Sequence, residues 1–275
     1  MFSSLPRKIL SKQRKLKAKL LGNGVDTYWW SGRVNFGDLI SEELLKVNGK
    51  TPILKEPSNA QLVMVGSLIE HLPEDYSGTI MGTGLISEKK ASLPQANFLA
   101  VRGKYTRQCL GLKESVPLGD FGLLSHKLIG KQPAKKYKYG LIPHYVDKTN
   151  PWIPKIHNYL GQDCVIIDVE DTATSVTQQI AECEFIFSSS LHGLIVADSF
   201  GIPNTWLQMS DKVIGNGFKF HDYNSAIDSE QQCVNVSNET TLDDLEAALS
   251  TKSFDVIREK QDELDNILTG YLSRD

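Results

Sequence analysis

Short apolar runs and amphipathic stretches alternate along most of this chain. Residues 25–30, 62–66, 79–82 and 98–102 are apolar runs too short for a helix, yet continuous enough for strands buried on both faces. Between the first two, the turn Asn35-Phe36-Gly37-Asp38 leads into a helical pattern with Leu39, Ile40, Leu44 and Leu45 on its apolar side. Residues 104–110 read as a helix ended by Gly111, and 115–118 as a further strand closing at Gly119-Asp120. Residues 131–138 are lysine-rich and contain a proline, which reads as a linker. The alternation then resumes. Strands are expected at 139–142, 165–168, 185–188 and 204–207, and helices at 152–160, 174–182 and 191–200. Residues 242–271 are helical in pattern, with a break near Ser253.

This order predicts an α/β protein made of two Rossmann-like parallel-sheet units facing a cleft, with a C-terminal helix packing back across them. The expected divisions are a basic N-terminal extension (1–24), an N-terminal unit on the acceptor side (25–130), a linker (131–138), a C-terminal unit on the donor side (139–252) and a C-terminal helix (253–275). Each unit is long enough for a core of its own. Ligands of such sheets sit at the carboxyl ends of the strands, so the chemistry is sought in the strand-to-helix turns.

Charge changes this picture in one place. Of 30 basic and 33 acidic residues, residues 1–25 hold seven basic and no acidic ones, so the rest of the chain is acidic. An acidic body argues against nucleic acid as a partner. The head has no uninterrupted apolar segment of the kind a secretory signal carries. Leu5, Ile9, Leu16 and Leu20 recur among its cations at roughly helical spacing. That pattern reads either as an interfacial helix for an anionic membrane or as a solvated extension. The four cysteines are scattered and form no CxxC pair, which points to a reducing, cytoplasmic setting and to no zinc site. Asp168-Val169-Glu170-Asp171 reads as an acidic loop before a helix rather than a metal site, and no metal is expected.

The turns carry the candidate chemistry. Ser188, Ser189 and Ser190 run from a buried strand into Leu191-His192-Gly193. A helix start of this kind favours an anion, with His192 as an acid–base group or as a packed histidine. Gly37 permits close backbone approach, and Asp38 is either the cap of its helix or a base toward a sugar hydroxyl. Arg33 lies just upstream, and Arg102 stands at a strand end where its guanidinium suits phosphate or carboxylate. Gly82-Thr83-Gly84 lacks the third glycine of a dinucleotide fingerprint, so its glycines read as a loop lining the cleft. His144 and Tyr145 follow the first strand of the second unit and could line a sugar pocket.

Together these turns resemble the polysaccharide pyruvyl transferase family. The resemblance rests on Asn35-Phe36-Gly37-Asp38, Gly66-Ser67, Gly82-Thr83-Gly84, Val101-Arg102-Gly103 and Leu118-Gly119-Asp120. In the second half it rests on Pro143-His144-Tyr145-Val146-Asp147, the segment 188–193, Asp198-Ser199-Phe200-Gly201-Ile202-Pro203 and Phe218-Lys219-Phe220-His221-Asp222-Tyr223. The order and spacing of these pieces are specific where each alone is weak.

The resemblance implies a GT-B-like fold and transfer of the pyruvyl group of phosphoenolpyruvate onto two hydroxyls of one sugar, giving a cyclic ketal during surface or exopolysaccharide synthesis. It implies no cofactor beyond that donor, and an acceptor that is a glycan or a lipid-linked oligosaccharide. It puts His192 in the donor site with Arg102 as a partner; from the residue chemistry His192 is the candidate acid and Asp38 the candidate base, and Ser188, Ser189, Ser190, Leu191 and Lys219 are expected beside the donor. Arg33, Asn35, Gly37, Gly82, Gly84, His144, Tyr145 and Tyr223 are expected at the acceptor or along the cleft. Many members carry an arginine where this chain has Ser190, so the positive clamp must come from Arg33, Arg102, Lys212 or Lys219. A family acting on membrane-linked glycans would be served by a contact of residues 1–24 with the inner face of the membrane; a solvated extension, or one that contacts a partner subunit, stays open beside it. A nucleotide-sugar glycosyltransferase and a non-catalytic glycan-binding subunit share the architecture and stay open as alternatives.

Overall fold

The computed structural model describes residues 7–273, and the side chains of residues 14–273. The first half runs α1 (Arg7–Leu21), β1 (Gly24–Tyr28), α2 (Phe36–Val47), β2 (Thr51–Leu54), β3 (Leu62–Val63), β4 (Thr79–Met81), β5 (Asn97–Ala100) and α3 (Lys104–Cys109). A 3-10 segment, Phe121–Leu128, leads to the second half. There follow β6 (Tyr137–Ile142), α4 (Trp152–Leu160), β7 (Cys164–Ile166), α5 (Ala173–Ala181), β8 (Cys183–Ser188), α6 (Leu191–Ser199), β9 (Asn204–Gln208), α7 (Phe218–Ala226) and β10 (Cys233–Asn235). The chain closes with α8 (Leu242–Ala247) and α9 (Phe254–Leu272).

Among the described residues the strands form two five-stranded sheets, ordered β2-β1-β3-β4-β5 and β10-β9-β8-β6-β7. Every strand pairing within them is parallel. Numbered within its own half, each sheet has the same order, 2-1-3-4-5. The connections therefore reverse direction between β1 and β3 in one sheet and between β6 and β8 in the other. Such switch points leave a crevice beyond the strand ends.

The expected α/β architecture is present, with two corrections of detail. Residues 115–118 form no strand; Leu118 makes an isolated parallel bridge to Val101. Lysines of the expected linker are bonded to the end of α5 and the start of β8. Lys135 donates to the carbonyls of Ala181 (3.1 Å) and Cys183 (2.5 Å), and Lys136 pairs with Glu182 at 2.8 Å.

One apolar cluster joins the halves. It takes Phe36, Ile40, Leu44 and Leu45 from α2, Ile142 and Ile186 from the second sheet, Leu194 and Ile195 from α6, and Leu264 and Leu268 from α9. All nine residues of α6 are buried, which makes it the central helix. α9 packs back with Ile257, Leu264, Leu268 and Leu272, and Gln261 Nε2 donates to Leu123 O (2.9 Å) and Ser199 O (3.0 Å). α1 lies along β1 and β2. Ala18 is buried against Gly24, and Arg14 pairs with Glu42 at 2.6 Å. Leu16, Leu20 and Leu21 remain exposed. No helix among the described residues is long and apolar enough to cross a membrane.

Candidate active site where the two switch points face

The two crevices face each other across one half-open pocket. Its walls come from the turns after β1 (Trp30, Asn35, Asp38), β3 (Ser67, Leu68), β6 (His144, Tyr145) and β8 (Ser190, Leu191, His192), together with Lys219 of α7. The backbone seals the junction, since Phe36 N donates to Val169 O at 2.8 Å across the halves.

Local structure aims the groups. Asn35 caps α2, its Oδ1 accepting from Gly37 N at 3.2 Å. The cap role is thereby filled, and Asp38 is free of it. Its carboxylate makes no hydrogen bond with a described residue, and burial pushes it up to about 7 against the pull of Lys219. Gly37 is obligatory. A Cβ there would overlap His192 Nδ1, so the start of α2 reaches the first turn of α6 only without a side chain. Burial, then Lys219, Arg102 and His144, push His192 down to about 3, and it rests neutral. His144 is likewise held near 3 by burial, Lys219 and Arg33.

Lys219 is the cation of the pocket. It forms no ion pair or hydrogen bond with a described residue, and its ammonium lies 5.6 Å from the Phe220 ring centroid. Burial and Arg102 lower it to about 8, while Asp38 and Asp147 hold it up. Ser190 is the N-cap position of α6 but makes no side-chain cap bond, so that helix start opens on the pocket beside Lys219. A half-buried cation next to a helix N-terminus favours an anion. The acid–base groups Asp38 and His192 stand in the same space.

Several expected site residues lie elsewhere. Arg102 is fully buried and does not reach the pocket. Its Nε donates to Asp222 at 2.9 Å, Nη1 to Ser67 Oγ at 2.7 Å and Nη2 to Leu85 O, which satisfies the guanidinium internally. Ser188 accepts from Ser190 N at 3.0 Å and shapes the turn from inside. Ser189 donates to Asp147 at 2.7 Å and accepts from His144 N at 2.9 Å. Tyr223 is buried and donates to Asp198 at 2.8 Å. Gly82 and Gly84 serve packing: a Cβ on the first would strike Phe121 and one on the second the Arg102 guanidinium. Lys212 is exposed. Arg33 stands at the rim, paired with Glu170 at 2.7 Å and lying 4.4 Å over the Tyr145 ring. The acidic loop is spent on partners too. Lys148 pairs with Asp168 and Glu170, and Asp171 accepts from Ser175 Oγ at 2.6 Å.

Sequence reasoning missed Trp30, Leu68, His71 and Ile86 in the lining, and marked Ser67 only as part of a motif. Trp30 stacks on His71 with ring centroids 5.0 Å apart, and 40% of it is exposed. No local pattern marks such a pair, because its members follow different strands.

The fold and pocket define a two-unit α/β protein with an anion-competent, acid–base-bearing cleft. A family model, polysaccharide pyruvyl transferase, matches residues 3–211, and the chain belongs to that family. It is 34% identical over 206 residues to "Uncharacterized protein L143" of Acanthamoeba polyphaga mimivirus, a match covering 68% of each chain. It is 27% identical over 208 residues to "Succinoglycan biosynthesis protein ExoV" of Rhizobium meliloti (strain 1021), covering 71% of this chain and 62% of that one.

Proposed function

We propose that the chain transfers the pyruvyl group of phosphoenolpyruvate onto two hydroxyls of one sugar, forming a cyclic ketal during polysaccharide synthesis. The observation that carries this reading is Lys219. It is an ion-unpaired cation beside the open start of α6, in one pocket with His192 and Asp38. Phosphoenolpyruvate offers a phosphate and a carboxylate to that positive corner. The relationship to a succinoglycan biosynthesis protein supports a polysaccharide as the acceptor's destination.

The chemistry follows from the groups present. His192 delivers a proton to the enol methylene carbon, which becomes a methyl group and leaves an electrophile at the pyruvyl carbon. One sugar hydroxyl attacks that carbon and gives its proton to Asp38. Phosphate departs, and the second hydroxyl closes the ring and loses its own proton. One of the two protons released goes with phosphate and the other restores His192, so the balance closes. Resting His192 is neutral. The donor's negative charge beside it offsets the field of Lys219 and lets the imidazole take up the proton it delivers. The exposed face of Trp30 at the pocket mouth suits a pyranose ring.

This reading sets the chain in the cytoplasm, acting on a glycan or lipid-linked oligosaccharide. Lys15, Lys17 and Lys19 beside the exposed Leu16 and Leu20 would contact an anionic leaflet. Sedimentation with anionic liposomes, with and without residues 1–24, tests that contact.

The decisive assay incubates the protein with phosphoenolpyruvate and a panel of lipid-linked and free glycans. Acceptor-dependent phosphate release is expected, with a product heavier by pyruvate less one water. Transfer from a nucleotide sugar while phosphoenolpyruvate stays inert would overturn the reading in favour of a glycosyltransferase.

A further inference from the structure

Asp120 stands just outside the pocket lining, yet it faces His192. It follows the parallel bridge Val101–Leu118 and caps the 3-10 segment, with Oδ1 accepting from Gly122 N at 2.8 Å. Its other oxygen, Oδ2, is buried without a hydrogen-bond partner among the described residues, and so is His192 Nε2. Buried polar atoms of this kind are rare, and two of them facing each other are rarer. These two lie 4.0 Å apart.

The imidazole is clamped in this orientation. Gly37 abuts Nδ1, and Phe36 meets the ring edge-on with centroids 6.3 Å apart. On the other edge a Cβ on Gly122 would stand 3.7 Å from Cδ2. The ring therefore keeps Nε2 toward Asp120 and Nδ1 toward Gly37 and the pocket. The 4.0 Å separation is longer than a hydrogen bond. Contacts of this type are often long in resting enzymes and tighten when substrate binds.

We propose that Asp120 is the positioning residue of His192. It holds the proton of the neutral imidazole on Nε2, so that Nδ1 presents its lone pair to the pocket. The inference rests on the pyruvyl-transfer reading for its catalytic consequence. In turnover Nδ1 takes up a proton and passes it to the enol carbon; the Nδ1–H bond breaks as the C–H bond forms, and Nε2–H stays in place. While His192 is an imidazolium, the Asp120 carboxylate offsets its charge. The other charged or titratable groups acting on His192 are Lys219, Arg102 and His144, and those on Asp120 are Arg102 and Asp222. All three that act on His192 disfavour the imidazolium. Asp120 is the anion nearest the ring.

Nitrogen-15 NMR of histidine-labelled protein, with the His192 signals assigned by their loss in His192→Gln, tests the pair in the resting enzyme. The expected result is the Nε2–H tautomer in the wild type and a shift toward Nδ1–H in Asp120→Asn. Asparagine can still cap Gly122 through its amide oxygen. In turnover Asp120→Asn should lower kcat by about 10²- to 10⁴-fold with little change in KM for phosphoenolpyruvate, as loss of an orienting carboxylate does elsewhere. The basic limb of its pH profile should move down by about 1–3 units. An Nδ1–H tautomer in the wild type overturns the inference without any variant, and so does an Asp120→Asn enzyme with unchanged tautomer, kcat and pH profile. If the tautomer shifts as expected while phosphoenolpyruvate yields no phosphate, the pairing stands and the donor assignment falls.

Discussion

A carboxylate held near neutrality inside a pocket is costly, and that cost separates a site residue from a structural one. Asp38 is pushed by burial from 3.8 to about 7. A raised carboxylate contributes stability at low pH and loses it as pH climbs through the folded value. The wild type should therefore lose stability between about pH 4 and pH 7, where Asp38→Asn does not titrate. At pH 8 Asp38→Asn should be the more stable protein, by on the order of 2–4 kcal/mol, with the gap closing below about pH 4. Its turnover should fall by about 10²-fold or more, as loss of a general base does. Thermal melts across pH 4–8 beside activity assays check this; an Asp38→Asn protein that is less stable at pH 8 would return Asp38 to a structural role. Asp38 was legible in the sequence as either cap or base. The structure gives the cap to Asn35, which leaves the base role of Asp38 to the Asp38→Asn test.

The start of α2 meets the start of α6, and the pocket exists because they touch. Gly37→Ala places a methyl group against His192 Nδ1. Overpacking of this kind costs about 1–3 kcal/mol. The displacement of His192 should cost about 10²-fold in turnover, since an ångström of misplacement suffices. Gly270→Ala in α9 is the control, because nothing lies within 4 Å of the added carbon. It should gain up to about 1 kcal/mol from helix propensity and leave turnover unchanged. Equal activity losses in both variants would sink the contact argument. Elements of this kind were readable from the sequence: α2, α4, α5 and α6 carry apolar patterns or punctuation that mark them, and β4 and β8 are short buried runs. Others were not. β2 contains Pro52 and sits at a sheet edge, where proline is tolerated but disguises a strand. α7 has no apolar stripe, because it spends its polar side chains on both halves: Lys219 on the pocket and Asp222 on Arg102. The element that completes the positive corner was thus the one that helical periodicity could not reveal.

Asp222 ties the molecule together. From α7 it accepts Arg102 Nε at 2.9 Å, Thr106 N at 2.8 Å and Thr106 Oγ1 at 2.6 Å, and so caps α3 of the other half. Gly103 makes room for this, since a Cβ there would overlap the Asp222 carbonyl. Ser225 Oγ accepts from Lys104 N at 2.8 Å in the same seam. An arginine at a strand end reads locally as a ligand clamp; its partner, 120 residues away, is invisible to any local pattern. Removing one member of a fully buried pair strands the other charge, at about 3–5 kcal/mol. Asp222→Ala should lose that much, and the shared apolar cluster adds a second consequence. Phe36, Ile40, Ile186, Ile195 and Leu264 belong to one core that both halves share, beside a smaller cluster within each half. The halves should therefore unfold in a single calorimetric transition in the wild type, and the weakened Asp222→Ala protein should still melt as one unit at a lower temperature. Two separate transitions would mean that each half carries its own stability, and a cost below about 1 kcal/mol would mean that the Arg102–Asp222 pair is not part of what ties them. A single transition means that the halves hold each other folded, so that the turns lining the pocket from both sheets form and melt together.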